Sequence, residues 1–232
     1  FEEAVTEVAR TLALAVVRRD RIILVHKGAS TDLSPRDLPS SKLNSSWIYL
    51  ATLTGKSQQA AFEIAKIAGK KDLKLLFNPS LYLAQKGIKN LGPILQNTAV
   101  LVLNKEEAQA LLRVSSNNVE SLLKGLQKWG PAIAIVTDGR KGLYALHENI
   151  IYSLTKTPDV KIVHTAGAGD AFTSGFLAGL IKNYSFDDAL RLGQANASSV
   201  IQHVGAKVGQ LTEKEAKVML KRYKIQITKK RI

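Results

Sequence analysis

Short apolar runs alternate with helical segments over most of this 232-residue chain, and this alternation restricts its fold more than any other feature. Four strands are predicted from continuous apolar runs, at 47–53, 74–77, 100–103 and 133–137. Helices are predicted from apolar periodicity at 58–68, 106–112 and 119–129. Buried strands that alternate with helices are typical of a parallel sheet covered on both faces. We therefore predict an α/β fold with a mostly parallel central sheet flanked by helices.

Polar residues stand directly after the predicted strands. They are Asn78, Asn104, Thr137 and, after a β-branched run at 160–163, Thr165. Ligands of open α/β sheets bind beyond the carboxyl ends of the strands. We therefore expect all four residues to lie along one edge of the sheet. Two shorter strands, at 143–147 and 150–154, are predicted between the third and the fourth of these residues.

The stretch from Val160 to Leu180 predicts a strand, a tight turn and a helix. Gly167 and Gly169 allow a close approach to the main chain, because a glycine has no Cβ. The first N–H groups of a helix lack intrahelical partners and carry partial positive charge, so an anion should bind at this turn. Asp170 follows the glycines. Its carboxylate either caps the helix or, if an anion occupies the N–H groups, faces that anion as a base.

The residues H-T-A-G-A-G-D-A-F at 164–172 closely resemble the D-T-x-G-A-G-D-x-F signature of the ribokinase (PfkB-type) family of carbohydrate and nucleoside kinases. Three further landmarks of the family follow in order: Asn78-Pro79-Ser80, an N-x-x-E motif at 104–107 and a T-x-G-x-x-G loop at 137–142. The resemblance extends from about Arg10 to Gly205-Ala206. It implies a ribokinase-like three-layer sandwich with a small β lid over the sugar site.

The first part of the chain predicts a β-hairpin, with strands at 11–17 and 21–25 and a charged tip at Arg18-Arg19-Asp20. The resemblance implies that these lid strands occupy approximately residues 11–28. We expect residues 1–232 to form a single ribokinase-like domain that lacks its N-terminal part, because the family's double-glycine sugar-binding segment does not precede Phe1. The chain would then be a fragment of a longer protein. The alternative is a shortened relative that has lost its acceptor pocket.

The resemblance implies an ATP-dependent phosphotransferase that moves the γ-phosphoryl group to a hydroxyl of a sugar, sugar acid or nucleoside. Such a reaction requires a base for the hydroxyl proton, donors for the phosphoryl oxygens and a divalent cation. By resemblance Asp170 is the base. The anion hole would be formed at the Gly167 turn by the backbone N–H groups of Ala168, Gly169 and Asp170. A carboxylate beside such N–H groups is placed to meet both the hydroxyl and the phosphate.

Asn104 and Glu107 match the family motif for handling Mg²⁺ and phosphate. Glu107 would hold Mg²⁺ through water, since hard oxygen ligands suit this ion. An asparagine followed three residues later by a glutamate is also an ordinary helix start, and both roles can hold together.

The nucleotide site is expected to include Thr137, Gly139 and Gly142, with Thr165 on the same edge of the sheet. Gln194 lies where many relatives carry a residue near the adenine ring, with Asn196 as the substitute. Alternatively, the loop with Thr137, Gly139 and Gly142 is a simple turn between strands, and Gln194 and Asn196 are polar helix residues that face solvent.

His164 stands where the family usually has an aspartate that is associated with a monovalent-cation site. Because an imidazole is a poor ligand for such a cation, the departure puts a monovalent-cation requirement in doubt. The resemblance otherwise implies ATP and Mg²⁺ as cofactors and a sugar or nucleoside as the substrate. The resemblance also suggests that two copies of the protein pair as a homodimer through their lids.

Composition limits the other classes of function. No apolar run is long enough to span a bilayer and the chain has no cysteine, so we expect a cytoplasmic protein with no membrane partner. The net charge of +14 raises nucleic-acid binding, but no aromatic residues interleave the basic cluster Lys229-Lys230-Arg231, which disfavours it. A dinucleotide-binding enzyme, with Asp187 on the ribose, is disfavoured because Asp187 would begin a helix. A nonenzymatic descendant of the same fold stays open.

Overall fold

A seven-stranded sheet forms the centre of the computed structural model, which describes residues 10–15, 21–39, 41, 43–155, 160–223 and 225–232. Its strands are β3 (Trp47–Leu50), β4 (Lys74–Phe77), β5 (Val100–Asn104), β6 (Ile133–Thr137), β7 (Leu143–His147), β8 (Ile150–Leu154) and β9 (Ile227–Arg231), and they lie side by side in this order. β3 to β6 pair in parallel, and β7, β8 and β9 each pair antiparallel with the strand before. Five of the seven strands therefore point the same way, which confirms the mostly parallel sheet.

Helices cover both faces of this sheet. One face carries α1 (Ser57–Lys70), α2 (Leu81–Ala84), α3 (Ile88–Leu95), α4 (Lys105–Leu112) and α5 (Val119–Gln127). The other carries α6 (Ala168–Ile181), α7 (Phe186–Val200) and α8 (Glu213–Tyr223). Because side chains alternate along a strand, Leu101 and Leu103 of β5 pack towards the first group, whereas Val100 and Val102 pack towards the second. This arrangement is the predicted three-layer sandwich.

Most predicted elements are confirmed with small shifts of their ends. The bounds of β4, β6, β7 and β8 agree with the prediction, and β5 extends one residue further, to Asn104. The helices α2 and α3 were not predicted from the sequence. α3 contains Pro93, a residue that usually argues against a helix interior.

The strand predicted at 160–163 is wrong. The N–H groups of Val163 and His164 donate to the carbonyl oxygen of Ile201, at 2.8 and 3.1 Å, and not to a neighbouring strand. Ile162 and Val163 expose 40% and 48% of their surface, so their β-branched side chains do not belong to the core. As a result Thr165 does not follow a strand, whereas Asn78, Asn104 and Thr137 stand at strand ends as predicted.

The first described residues form the predicted hairpin strands. β1 (Arg10–Ala15) pairs antiparallel with β2 (Arg21–His26) as a separate two-stranded sheet. The predicted tip Arg18-Arg19-Asp20 lies outside the described residues. The role of this hairpin as a lid stays a prediction.

The basic cluster near the C-terminus lies in β9. Nζ of Lys229 lies 2.8 Å from the Asp187 carboxylate, and Nζ of Lys230 lies 2.7 Å from the Glu120 carboxylate. Both lysines therefore pair with acidic groups beside the last strand. Of the helices that the structure describes, none has the length and apolar character needed to cross a membrane.

Candidate active site

A polar cavity of about 340 Å³ lies at the carboxyl ends of the parallel strands, next to the start of α6. Its wall includes six polar or glycine residues: Asn78, Asn104, Glu107, Thr137, Gly169 and Asp170. The first four come from the ends of β4, β5 and β6 and from α4, and the last two come from α6. The fold thus brings together residues from four separate motifs at one edge of the sheet.

A second cavity of about 140 Å³ adjoins the first and shares Thr137 and Gly169 with it. Gly139, Gly142 and Gln194 also line it, as the sequence predicted. Its apolar wall consists of Leu143, Phe172, Ala197 and Ile201. Ligand sites of this kind combine apolar walls with a few polar groups, which suits a nucleobase.

The N-terminus of α6 is held open by Gly167. This glycine has a φ of 81°, in the left-handed region, and makes no side-chain cap to the helix. A Cβ on Gly167 would overlap the carbonyl oxygen of Ala206, so only glycine fits. The Ala168 N–H donates weakly to the Thr165 carbonyl at 3.4 Å. No group in the described part of the chain accepts from the N–H groups of Gly169 and Asp170, which leaves these two donors for an anion.

The N-terminus of α4 is closed by its own side chains. Oδ1 of Asn104 accepts from the Glu107 N–H at 2.8 Å, and Oε2 of Glu107 accepts from the Asn104 N–H at 2.8 Å. This is a reciprocal capping box. The predicted helix-start role of these two residues is therefore confirmed. The amide nitrogen Nδ2 of Asn104 takes no part in the cap and remains to meet a ligand.

Two carboxylates face the larger cavity, and their pKa values are both raised. Partial burial raises the pKa of Asp170, although the side chain stays accessible to solvent. Burial is also the main cause that raises the pKa of Glu107, and the nearby charges of Glu106 and Asp170 add to it. Hydrogen bonds from the Asn104 and Leu81 N–H groups act in the opposite direction. The cavity therefore has a negative wall that would attract a cation.

The donor set of this wall suits Mg²⁺ held through water. Among the residues that the structure describes, no group of three or more His, Cys, Asp or Glu side chains could hold a metal ion directly. Mg²⁺ commonly binds to one or two carboxylates, keeps several waters and takes its other ligands from substrate phosphates. Glu107 and Asp170 provide such carboxylates, and the free Nδ2 of Asn104 can donate to an oxygen of a bound phosphate.

The loop after β6 approaches the smaller cavity through its glycines. Gly142 has a φ of 96°, and a Cβ there would overlap the Leu154 carbonyl oxygen. The turn is closed by a hydrogen bond of 2.8 Å from the Asp138 N–H to the Gly142 carbonyl. At Gly139 a Cβ would meet nothing within 4 Å, so space is open beside this residue. Across the cavity, Nε2 of Gln194 donates to Oγ of Ser198 at 3.3 Å.

Three of the predicted residues, Gly167, Thr165 and Asn196, line neither cavity. Thr165 is exposed next to the turn. Asn196 is buried, and its amide donates to the Ala171 carbonyl at 2.8 Å and accepts from the Leu211 N–H at 2.9 Å. The structure therefore favours Gln194 over Asn196 as the polar residue of the smaller cavity. Asp187 lies in α7 and pairs with Lys229, which contradicts a ribose-binding role.

Sequence reasoning missed Thr52 and Ser80, which line the larger cavity. The Ser80 N–H donates to Oγ1 of Thr52 at 2.6 Å, so the two residues connect the ends of β3 and β4. Thr52 was missed because the strand predicted at 47–53 included it, whereas β3 ends at Leu50. Ser80 was named only as part of the Asn78-Pro79-Ser80 landmark. Leu143 and Ile201 were missed as well, because an apolar residue in a cavity has the same pattern as one in the core.

Comparison with known proteins identifies relatives of this chain. A family model described as pfkB family carbohydrate kinase matches residues 2–213. A 5-dehydro-2-deoxygluconokinase from Shouchella clausii is 28% identical over 206 residues, which cover 84% of this chain and 62% of that protein. The chain thus spans less than two thirds of that relative.

Solved structures share the fold at lower identity. The nucleoside kinase of Methanocaldococcus jannaschii, described as an archaeal member of the ribokinase family, superposes with a TM-score of 0.77 at 22% identity. The match covers 93% of this chain and 69% of that one. The ribokinase of Arabidopsis thaliana in complex with ribose and ATP gives a TM-score of 0.79 at 20% identity, covering 92% and 69%. These likenesses establish the architecture of the sandwich.

Proposed function

This chain belongs to the pfkB family of carbohydrate kinases, and we propose that its protein transfers the γ-phosphoryl group of ATP to a hydroxyl of a sugar, sugar acid or nucleoside. The observation that carries the proposal is the position of Asp170. Its carboxylate lines the polar cavity beside the two free N–H donors of α6, opposite Asn104 and Glu107. A base and an anion site thus stand together where a phosphoryl group and a hydroxyl would have to meet.

The two cavities provide a path for the nucleotide. The base would occupy the apolar cavity beside Gln194 and Phe172, and the phosphates would extend past Thr137, which both cavities share. The γ-phosphate would then accept hydrogen bonds from the Gly169 and Asp170 N–H groups. These donors are fixed by the helix, so they stabilise charge on the phosphoryl oxygens without rearrangement.

Asp170 would take the proton of the acceptor hydroxyl as the oxygen forms its bond to the γ-phosphorus. The bond from phosphorus to the bridging oxygen breaks, and ADP leaves with that electron pair. The proton remains on the carboxylate until solvent removes it. The raised pKa of Asp170 makes it a stronger base than an ordinary aspartate.

Asn104 and Glu107 would hold Mg²⁺ through water, and the ion would neutralise charge on the phosphates. The capping box keeps both residues in fixed orientations at the start of α4. The acceptor class rests on the names of the relatives, which include a sugar-acid kinase.

Substitution of Asp170 by Asn in the intact protein tests the proposal. ATP turnover with a panel of sugars, sugar acids and nucleosides should identify an acceptor. With that acceptor, Asp170→Asn should lower kcat by about 10²–10⁴-fold, because the base is lost while the shape of the side chain is kept. Binding of Mg–ATP, measured by calorimetry, should persist. Asp187→Asn is the matched control, since Asp187 lies in the first turn of α7 outside both cavities.

Two results would contradict the proposal. One is turnover by Asp170→Asn at the rate of the unmodified protein, which would remove the base. The other is nucleotide binding without transfer to any acceptor, which would indicate a binding protein of the same fold.

A further inference from the structure

An ion pair connects the N-x-x-E motif with the T-x-G-x-x-G loop. Nζ of Lys105 lies 3.7 Å from Oδ2 of Asp138. Asn104 and Thr137 are paired neighbours in the parallel strands β5 and β6. Lys105 and Asp138 are the next residues along the chain, so they lie side by side at the same edge of the sheet. Each stands at an x position of its motif, and the resemblance therefore assigns no role to either residue.

This pair is more buried than the other ion pairs in the described part of the chain. The side chains of Lys105 and Asp138 expose 19% and 21% of their surface. In each of the other pairs at least one side chain exposes 46% or more. Because solvent and salt screen a partly buried pair less than an exposed one, the attraction between these two groups is stronger than at the surface.

The backbone of Asp138 closes the loop that this residue begins. Its N–H donates to the Gly142 carbonyl at 2.8 Å, and its carbonyl accepts from the Lys141 N–H at 2.9 Å. Nζ of Lys141 also lies 4.0 Å from Oδ2 of Asp138, but Lys141 is exposed and belongs to the same loop. Lys105 is thus the partner through which Asp138 connects the loop at 138–142 with the first residue of α4.

The loop and the start of α4 belong to different cavities. Gly139 and Gly142 line the smaller cavity, whereas Asn104 and Glu107 line the larger one. A nucleotide that extends through both cavities would contact both elements at once. Such a ligand binds more tightly when the elements that hold it are fixed in place before it arrives.

We propose that Lys105 and Asp138 are positioning residues for ATP, which fix the loop at 138–142 against the start of α4. The inference rests on the proposed function. Neither side chain lines one of the two cavities, so the pair acts through the two elements and not by contact with the nucleotide. Loss of one charge leaves the other without its partner, which loosens the loop and weakens ATP binding.

A double-mutant cycle in the intact protein tests the pair. Asp138→Asn and Lys105→Gln should each raise the KM for ATP about fivefold and change kcat by less than about twofold, because the bound geometry at Asp170 is kept. The double variant should also show a rise of about fivefold, since the first substitution already breaks the pair. A rise towards about 25-fold, the product of two independent effects, would overturn the proposal.

Two further variants separate positioning from other roles of the charges. Lys105→Arg keeps the charge and should keep the KM for ATP within about twofold of the unmodified protein, and a rise equal to that of Lys105→Gln would count against the ion pair. Lys182→Gln is the matched control, because it breaks the pair with Glu213 at 2.7 Å outside both cavities and should leave this KM unchanged. If urea unfolding shows that Asp138→Asn is less stable while its KM for ATP is unchanged, the pair only stabilises the fold, and the proposal is wrong.

Calorimetry with Mg–ATP distinguishes this failure from a failure of the proposed function. If the unmodified protein binds Mg–ATP but transfers phosphate to no acceptor, the kinase assignment fails, and the dissociation constant for ATP takes the place of KM in the cycle. The same rise in both single variants would then support the pair, and unchanged binding would overturn it. An unmodified protein that does not bind Mg–ATP would overturn both proposals.

Discussion

Two helices begin at the polar cavity, and their N-termini differ in how the backbone N–H groups are used. At α4, Asn104 and Glu107 cap each other, so the N–H groups of these two residues are satisfied by side chains. At α6, Gly167 offers no side chain, and the N–H groups of Gly169 and Asp170 stay free within the described residues. The dipole of each helix favours negative charge at this end. The N–H of the third helical residue is capped in α4, at Glu107, whereas the corresponding N–H in α6, at Asp170, has no acceptor within the described residues.

The two helix N-termini suit different ligands within one cavity. The closed terminus holds an amide and a carboxylate still, which suits cation binding through water. The open terminus keeps its donors for phosphate. The residue at the cap position decides whether a helix terminus is closed or open. An asparagine side chain accepts a hydrogen bond from a backbone N–H of the first turn, whereas glycine has no side chain that could accept one.

Substitution of a glycine at the N-terminus of α6 by alanine should have a larger effect than removal of the cap at α4 or a change of pH. Gly169→Ala should raise the KM for ATP by about tenfold or more, since Gly169 lines both cavities and overpacking commonly costs about 1–3 kcal/mol. Its stability should hold, because a Cβ there meets no protein atom within 4 Å. Urea unfolding and steady-state kinetics measure the two effects. An unchanged KM would contradict the anion site.

Gly167→Ala is the matched variant. It should lower the free energy of unfolding by about 2 kcal/mol, because the left-handed backbone is strained for alanine and the methyl would meet the Ala206 carbonyl. A variant as stable as the unmodified protein would show that the turn relaxes easily.

Removing the cap at α4 should have a smaller effect on stability. Asn104→Ala should lower the free energy of unfolding by about 1 kcal/mol, and Asn104→Ser should restore most of it, since serine also caps helices. Activity distinguishes the two roles of Asn104. If the amide also meets a ligand, Asn104→Ser should recover stability but not kcat. Recovery of both would leave Asn104 with the capping role alone.

Acid pH should affect activity and stability through Asp170 at the N-terminus of α6. Because burial raises the pKa of Asp170, kcat/KM should fall with decreasing pH at a value above the ordinary aspartate pKa of about 3.9. A raised pKa in the folded state means that the charged form costs stability at neutral pH, and that this cost disappears as pH falls through that pKa. Asp170→Asn should therefore be more stable than the unmodified protein at pH 7 but not in acid. Urea unfolding at both pH values checks the sign, and equal stability at pH 7 would contradict the burial of this charge.

The fold could be predicted largely because its strands are buried on both faces. Continuous apolar runs such as 74–77 and 133–137 fit a strand that is buried on both faces. The ends of β4 and β6 agree with the prediction. The run at 160–163 is rich in β-branched residues, as 133–137 is, but the N–H group of its last residue, Val163, donates to Ile201 instead of to a strand. Composition alone could not separate these cases, since the difference depends on what lies next to the segment in space.

The site could be predicted where one residue type has a strict backbone role. Gly167 was identified because a tight turn restricts the residues that fit. Gly142 and the pair Asn104 and Glu107 were identified through the family motifs that they resemble, and the pair also has the spacing of a helix cap. The hydrogen bond from the Tyr49 hydroxyl to Oδ1 of Asn78 was not, because it joins residues that are far apart in sequence and follows no local pattern. Asn196 shows the reverse error, since a polar residue on a helix can serve buried hydrogen bonds as well as a ligand.

The loop that follows α7 holds the turn before α6 from both sides. Ile201 accepts the N–H groups of Val163 and His164, and Ala206 places its carbonyl against Gly167. The conformation of one of these two distant pieces of sequence therefore depends on the other. A turn transplanted from another kinase would need the matching loop with it, or the borrowed glycine would meet the wrong surface.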